Sequence, residues 1–304
     1  MHTLWIGIDG GATKTIARVE DEAGQLLGLG RAGPANLRAS SAAAWQAIYQ
    51  AIDQALAPRG LHLGDRRYRY YGGAGLAGTQ VPAACQAFLA EPHPFAHLAL
   101  QSDGYVACLG AHGGQDGAVI AVGTGVIAYQ IVGDRAQRVG GWGFPQGDEG
   151  SGAWLGLEVV RRTLHWQDGR GEASPLLAQL WARFDHNLTQ FVIWANQADA
   201  AQFASLAPLV IEQAAQGEPL AVQLLQGAGR ELDCIGRALA AQGPEPLPCS
   251  LLGGLAPFLE PYLEPALRSR LVSPAGDAAQ GAILLARRAV LANPPSFPPL
   301  APDH

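Results

Sequence analysis

The segment Leu4-Trp5-Ile6-Gly7-Ile8-Asp9-Gly10-Gly11-Ala12-Thr13-Lys14-Thr15 constrains this chain more than any other. An apolar run ends in an acid, two glycines and a hydroxyl, and a second extended run follows over 15–20. Such a strand–turn–strand is suited to phosphate and a divalent cation. Glycines at 10 and 11 permit positive φ and let backbone N–H groups approach an anion without a Cβ in the way, while Asp9 can reach a metal and Thr13 can donate to a phosphate oxygen. Lys14 adds a positive charge. Neither of the commoner phosphate loops is present at this turn: it opens no helix with G-x-x-x-x-G-K-S/T and does not read G-x-G-x-x-G. A Gly-rich β-turn with no ligand could carry the same residues.

The same grammar returns at Ala118-Val119-Ile120-Ala121-Val122-Gly123-Thr124-Gly125-Val126-Ile127-Ala128-Tyr129. Two strand–turn–strand clamps in one chain point to two lobes facing one nucleotide. A third piece, Leu247-Pro248-Cys249-Ser250-Leu251-Leu252-Gly253-Gly254-Leu255-Ala256, reads as a short buried strand running into paired glycines ahead of an apolar helix. There the backbone can pass close to an adenosine.

Composition narrows the class. At 304 residues and 31.8 kDa the chain can bury a substantial core in two domains. A net charge of −6 with 15% charged residues signals no basic face for nucleic acid. The start lacks a basic and then apolar leader, and no run of 18 apolar residues occurs, so neither a membrane span nor export is expected and a cytoplasmic protein is. Cys85, Cys108, Cys234 and Cys249 lack C-x-x-C or ligand spacing, which favours buried free thiols over a zinc site or disulfides.

Strands are expected over 4–9, 15–20 and 26–31. Ser40 or Ser41 then caps a helix with Trp45, Ile48, Tyr49, Ile52 and Leu56 on one face. A strand near 68–72 enters a Gly-rich turn over 72–78, and 97–101 forms the strand before Asp103. The break at 112–117 divides an N-terminal lobe, 1–113, from a C-terminal lobe, 114–304. The latter opens with a hairpin over 118–132, is mostly helical from 150 to 242, and closes with a helix over about 277–291 before a Pro-rich tail.

Asp103, directly after a strand, stands where an α/β cleft presents a carboxylate, although it could equally cap the helix from Gly104. Asp148 and Glu149 precede a helix over about 151–165, where the dipole favours acids regardless of function. The preceding Gly140-Gly141-Trp142-Gly143 suits a pocket in which backbone amides and an indole face meet a sugar. Asn36, in Gly33-Pro34-Ala35-Asn36, is by itself a turn residue.

Taken in order, Asp9-Gly10-Gly11-x-Thr13, Ser102-Asp103, Gly123-Thr124-Gly125, Gly140-Gly141-Trp142-Gly143, Gly147-Asp148-Glu149-Gly150-Ser151-Gly152 and Leu252-Gly253-Gly254 resemble the N-acetylglucosamine kinase and BadF-type ATPase family. That family belongs to the sugar kinase, actin and chaperone ATPase superfamily, and the resemblance runs from about residue 4 to 290. It implies a two-lobed α/β actin-like ATPase fold of duplicated ribonuclease H-like domains, with a nucleotide cleft between the lobes. It implies ATP and Mg²⁺ as cofactors, with the metal at Asp9 through water. Gly10, Gly11, Thr13, Lys14, Gly123, Thr124, Gly125, Ala204 and Gly254 would hold the nucleotide. Asp103 would be the catalytic base for the 6-hydroxyl of N-acetylglucosamine, and Asn36, Ala77, Gly141, Trp142 and Asp148 would contact the sugar. Ala77 departs from the Ser found in some members. The resemblance also implies a homodimer. Glucosamine kinase, a BadF-type activator ATPase and a sugar-sensing binding protein are the alternatives.

Overall fold

The computed structural model describes residues 2–11, 13–133, 135–243 and 245–292. They fall into two compact units, 2–115 with 274–292, and 116–273.

The first unit is built from β1 (His2–Gly10), β2 (Thr15–Glu20), β3 (Leu26–Ala32), α1 (Ser41–Leu56), β4 (Tyr68–Leu76), α2 (Pro82–Ala90), β5 (Phe95–Ser102) and α3 (Asp103–Ala111). The strands form one sheet in the order β3-β2-β1-β4-β5, with β1, β4 and β5 parallel and β1-β2-β3 an antiparallel meander. Leu4, Ile6 and Ile8 alternate along β1 and all three are fully buried, as the period of a pleated strand requires. Ser40, not Ser41, caps α1 by accepting from the Ala43 amide, and the face carrying Trp45, Ile48, Ile52 and Leu56 packs into the core.

The second unit contains β6 (Gly117–Val122), β7 (Val126–Val132) and β8 (Arg135–Gly140), then the helices α4 (Gly152–Gln167), α5 (Pro175–Ala182), α6 (Leu188–Gln197), α7 (Ala200–Ala204), α8 (Ala207–Ala215) and α9 (Pro219–Ala240). It ends in β9 (Cys249–Leu252), α10 (Ala256–Leu259) and α11 (Pro265–Arg268). Its sheet runs β8-β7-β6-β9, with β9 parallel to β6. The expected hairpin over 118–132 and the helical stretch that follows are both present. Strand β8 was not anticipated.

Two expectations require correction. The glycine run at 72–78 is not a turn until after Leu76, because β4 continues through it. A Cβ on Gly73 would lie 1.8 Å from the Ala282 carbonyl oxygen and one on Gly75 would lie 2.0 Å from Val106, so these glycines let helices press against the strand rather than bend it. The helix at Gly75 is α3 and the one at Gly73 is α12 (Ala278–Ala292), which packs on β1, β4 and α3 and so belongs to the first unit instead of the C-terminal lobe. The Pro-rich tail lies outside the described residues.

No helix among the described residues is long and apolar enough to cross a membrane. The four cysteines form no disulfide, and Cys234 is exposed, contrary to the expectation of buried thiols.

Candidate active site

In the first unit, three parallel strands end in register. Asp9 of β1 lies opposite Gly75 of β4, which lies opposite Gln101 of β5, and Gly10, Leu76 and Ser102 form the next level. Such strand ends are where α/β sheets present functional groups. The turn beyond β1 is tied to its neighbours: the Gly10 carbonyl accepts from the Ala77 amide at 2.8 Å and the Gly11 carbonyl from the Ala35 amide at 3.1 Å. Asn36 and Ala77 form a bridge, with the Leu37 amide donating to the Ala77 carbonyl at 3.0 Å. Two residues 41 positions apart in sequence, both expected at a sugar, therefore flank the Gly10-Gly11 turn. Asn36 Oδ1 accepts from the Arg38 amide at 3.0 Å, so its turn role is real. That bond engages the side-chain oxygen and not the side-chain N–H donors.

Asp103 is the first residue of α3 and not its cap. Ser102 takes that role, its Oγ accepting from the Tyr105 amide at 3.2 Å. Asp103 accepts from the adjacent Gly104 amide, at 2.8 Å. Burial raises its carboxyl above the ordinary carboxylate range, opposed by that amide and its own. Burial likewise pushes Asp9 up to about 6, with the negative charge of Asp103 adding to the rise, Lys14 opposing it and Asp277 adding a smaller increment. Asp277 was missed in the sequence. It heads α12 in a reciprocal capping box with Gln280, at 2.8 and 2.9 Å, and its S/T/D-x-x-Q pattern was readable only as a helix start.

The β1–β2 turn corrects one further point. Neither Gly10 nor Gly11 has positive φ. A Cβ on Gly10 would meet Leu76 at 2.6 Å and Ala35 at 2.9 Å, so this glycine is demanded by packing. Thr13 and Lys14 are exposed, and the Gly11 amide is engaged by the Lys14 carbonyl at 3.0 Å.

In the second unit, a pocket of about 510 Å³ gathers Gly123, Thr124, Ala204 and Gly254, four of the residues expected at nucleotide. They come from the β6–β7 turn, α7 and the turn after β9. The pocket also takes in Gly152 and Leu255, which lie in quoted motif segments, and Ile211, Glu212 and Phe258, which carry no motif that would have revealed them. A Cβ on Gly123 or Gly254 would meet nothing within 4 Å. The turn is anchored by the first amides of α4: Gly152 donates to the Gly123 carbonyl at 2.8 Å and Ala153 to the Thr124 carbonyl at 3.1 Å. The positive end of the α4 dipole thus backs the turn.

Gly125 does not line this pocket. A Cβ there would lie 2.6 Å from Asp148 Oδ2, so the glycine makes room for that carboxylate. Asp148 has φ 64, and the amides of Val126 and Gly143 hydrogen-bond its half-buried carboxylate; burial raises its carboxyl, against those two bonds. Gly141 also has positive φ, 69, and packs on Ile127, while Trp142 beside it is 74% exposed.

Residues 6–286 match the model of the BadF/BadG/BcrA/BcrD ATPase family. The chain is 34% identical over 282 residues to the glucosamine kinase GspK of Vibrio cholerae, covering 93% of this chain and 95% of the relative. Among solved structures, an N-acetylglucosamine kinase candidate from Chromobacterium violaceum aligns with a TM-score of 0.84 at 38% identity, over 94% of this chain and 98% of the other. A ROK family glucokinase from Streptomyces griseus, solved with glucose and AMPPNP, shares the fold at a TM-score of 0.55 and 18% identity, over 94% and 99%. With its two sheets and these structural neighbours, the chain has an actin-like ATPase fold, as the resemblance implied. This chain belongs to the BadF/BadG/BcrA/BcrD ATPase family.

Proposed function

We propose that the chain is an ATP-dependent amino-sugar kinase that phosphorylates the 6-hydroxyl of N-acetylglucosamine. The observation that carries this reading is Asp103: a half-buried carboxylate at the end of a parallel strand, released from capping by Ser102 and given a raised proton affinity by desolvation. A raised proton affinity makes a carboxylate a better acceptor of a hydroxyl proton. As the proton moves to Asp103, the sugar oxygen bonds to the γ-phosphorus and the bond from that phosphorus to the β–γ bridging oxygen breaks, releasing ADP. Asn36, Ala77, Gly141, Trp142 and Asp148 are the proposed sugar contacts. The apolar walls of the 510 Å³ pocket, Ile211, Leu255 and Phe258, suit a purine ring, and Thr124 with the Gly123 backbone suits its phosphates. Gly10, Gly11, Thr13 and Lys14 are the proposed contacts on the phosphate side.

The residues present fit Mg²⁺ at Asp9. A half-buried, partly desolvated carboxylate that feels the charges of Asp103 and Asp277, with Lys14 as the opposing charge, is relieved by a cation. Among the described residues no group of three or more His, Cys, Asp or Glu side chains forms a metal cluster. The ion would therefore be held by Asp9 with water and phosphate oxygens, the usual habit of Mg²⁺, where it would neutralise charge on the transferring group.

Glucosamine is the second reading of the acceptor, favoured by Ala77 in place of Ser and by the similarity to the glucosamine kinase of Vibrio cholerae. A cytoplasmic homodimer completes the proposal and is read by cell fractionation and light scattering. The test of function is ADP release measured with N-acetylglucosamine, glucosamine, glucose and no sugar. Release that depends on either amino sugar supports a kinase and ranks the acceptors. Equal release without sugar would replace it with an activator-type ATPase.

A further inference from the structure

Arg138 lies in β8 opposite Tyr129 of β7, and its guanidinium carbon sits 4.2 Å from the centre of the Trp142 ring. It forms no ion pair with any described residue. The indole it covers is the most exposed tryptophan-sized surface of its loop, at 74%. Gly141 and Gly143 flank it with φ of 69 and 90, so the adjoining main chain offers no side chain to brace the ring. A side chain at Gly147 would meet the Trp142 Cβ at 3.0 Å, which shows that the root of Trp142 is held. What remains to be ordered is the ring itself, and the contact that orders it is Arg138.

We infer that Arg138 is a positioning residue for the amino sugar: it covers one face of the Trp142 indole and leaves the opposite face as the platform on which the sugar stacks. The inference rests on the reading of Trp142 as a sugar contact. An unbraced exposed ring would lose its rotational freedom only when sugar arrives, which weakens binding; a ring already held by a guanidinium has lost that freedom beforehand. The delocalised, weakly hydrated guanidinium suits an aromatic face better than an ammonium does, so lysine can replace it only in part.

The test labels the enzyme with 5-fluorotryptophan, which places a reporter at all seven tryptophans. The Trp142 resonance is identified by its loss in W142F. In sugar-free enzyme, R138A and R138Q should move that resonance, with R138K moving it less. The KM for N-acetylglucosamine should rise roughly 2–5-fold in R138A, partly restored in R138K, with the KM for ATP unchanged. In the W142A background, R138A should add no further rise. A Trp142 resonance unmoved by R138A, or an unchanged sugar KM in R138A when W142A raises it, overturns the role of Arg138 and leaves Trp142 as a sugar contact. An unchanged sugar KM in W142A overturns the platform itself, and Arg138 with it.

Discussion

At the β1–β2 turn a Cβ on Gly10 would come within 2.6 Å of Leu76 and 2.9 Å of Ala35, whereas at the β6–β7 turn a Cβ on Gly123 would meet nothing within 4 Å. Neither glycine has positive φ, so conformational freedom explains neither. The first turn is glycine because protein packs against protein around Asp9, where the Gly10 and Gly11 carbonyls accept from the Ala77 and Ala35 amides. The second is glycine in a position where an alanine would fold equally well, on the wall of a pocket. Two segments with one sequence grammar thus separate a glycine required by the fold from a glycine that leaves clearance for a ligand. Gly125 is a third case, vacated for the Asp148 carboxylate.

The largest expected effect concerns the first turn's neighbour. Asp103→Asn keeps the shape at the head of α3 but cannot accept a proton, so kcat should fall roughly 10²–10⁴-fold while ATP affinity stays. Steady-state kinetics showing wild-type turnover would remove Asp103 from the chemistry and leave the first turn without its proposed base.

Asp9→Asn is next, and it acts in opposite directions on activity and stability. Burial and the neighbouring Asp103 and Asp277 charges raise the Asp9 carboxyl from 3.8 to about 6 in the fold, so the folded chain resists ionisation there. That penalty is absent below about pH 4, where both states are protonated, and complete above about pH 6. Wild type should therefore be less stable than Asp9→Asn by up to about 3 kcal/mol at pH 7–8, the gap closing as pH falls through 6 toward 4. Denaturant titrations across that range measure it; a gap that widens on acidification would contradict the assignment. Mg²⁺-dependent activity should be lost in the same variant.

Gly10→Val is the smallest and separates the turns directly. Leu76 and Ala35 would have to move, at a cost of about 1–3 kcal/mol read from the unfolding midpoint. An unmoved midpoint would erase the contrast.

Much of this arrangement was legible in the chain. The apolar alternation of Leu4, Ile6 and Ile8 located β1, and the residues at 123, 124, 204 and 254, expected together by resemblance, line one pocket. What escaped has physical reasons. Strand β8, Arg135–Gly140, carries no apolar alternation, since its residues are exposed or half-buried. The glycines at 72–75 mimic a turn because a packing glycine and a bending glycine are the same letter. The return of α12 to the first unit depends on the close approach at Gly7, Gly73 and Gly110, contacts between segments far apart in sequence. Ile211, Glu212 and Phe258 reach the pocket from helical elements whose local patterns signal only helix.

The central claim, that the Gly123 turn keeps space for nucleotide, is tested most directly by calorimetric titration of ATP into Gly123→Val. The variant should fold with a wild-type unfolding midpoint, since nothing lies within 4 Å of the new Cβ, and should lose at least about 100-fold in ATP affinity, about 2.7 kcal/mol. Wild-type affinity in a folded Gly123→Val protein would contradict it.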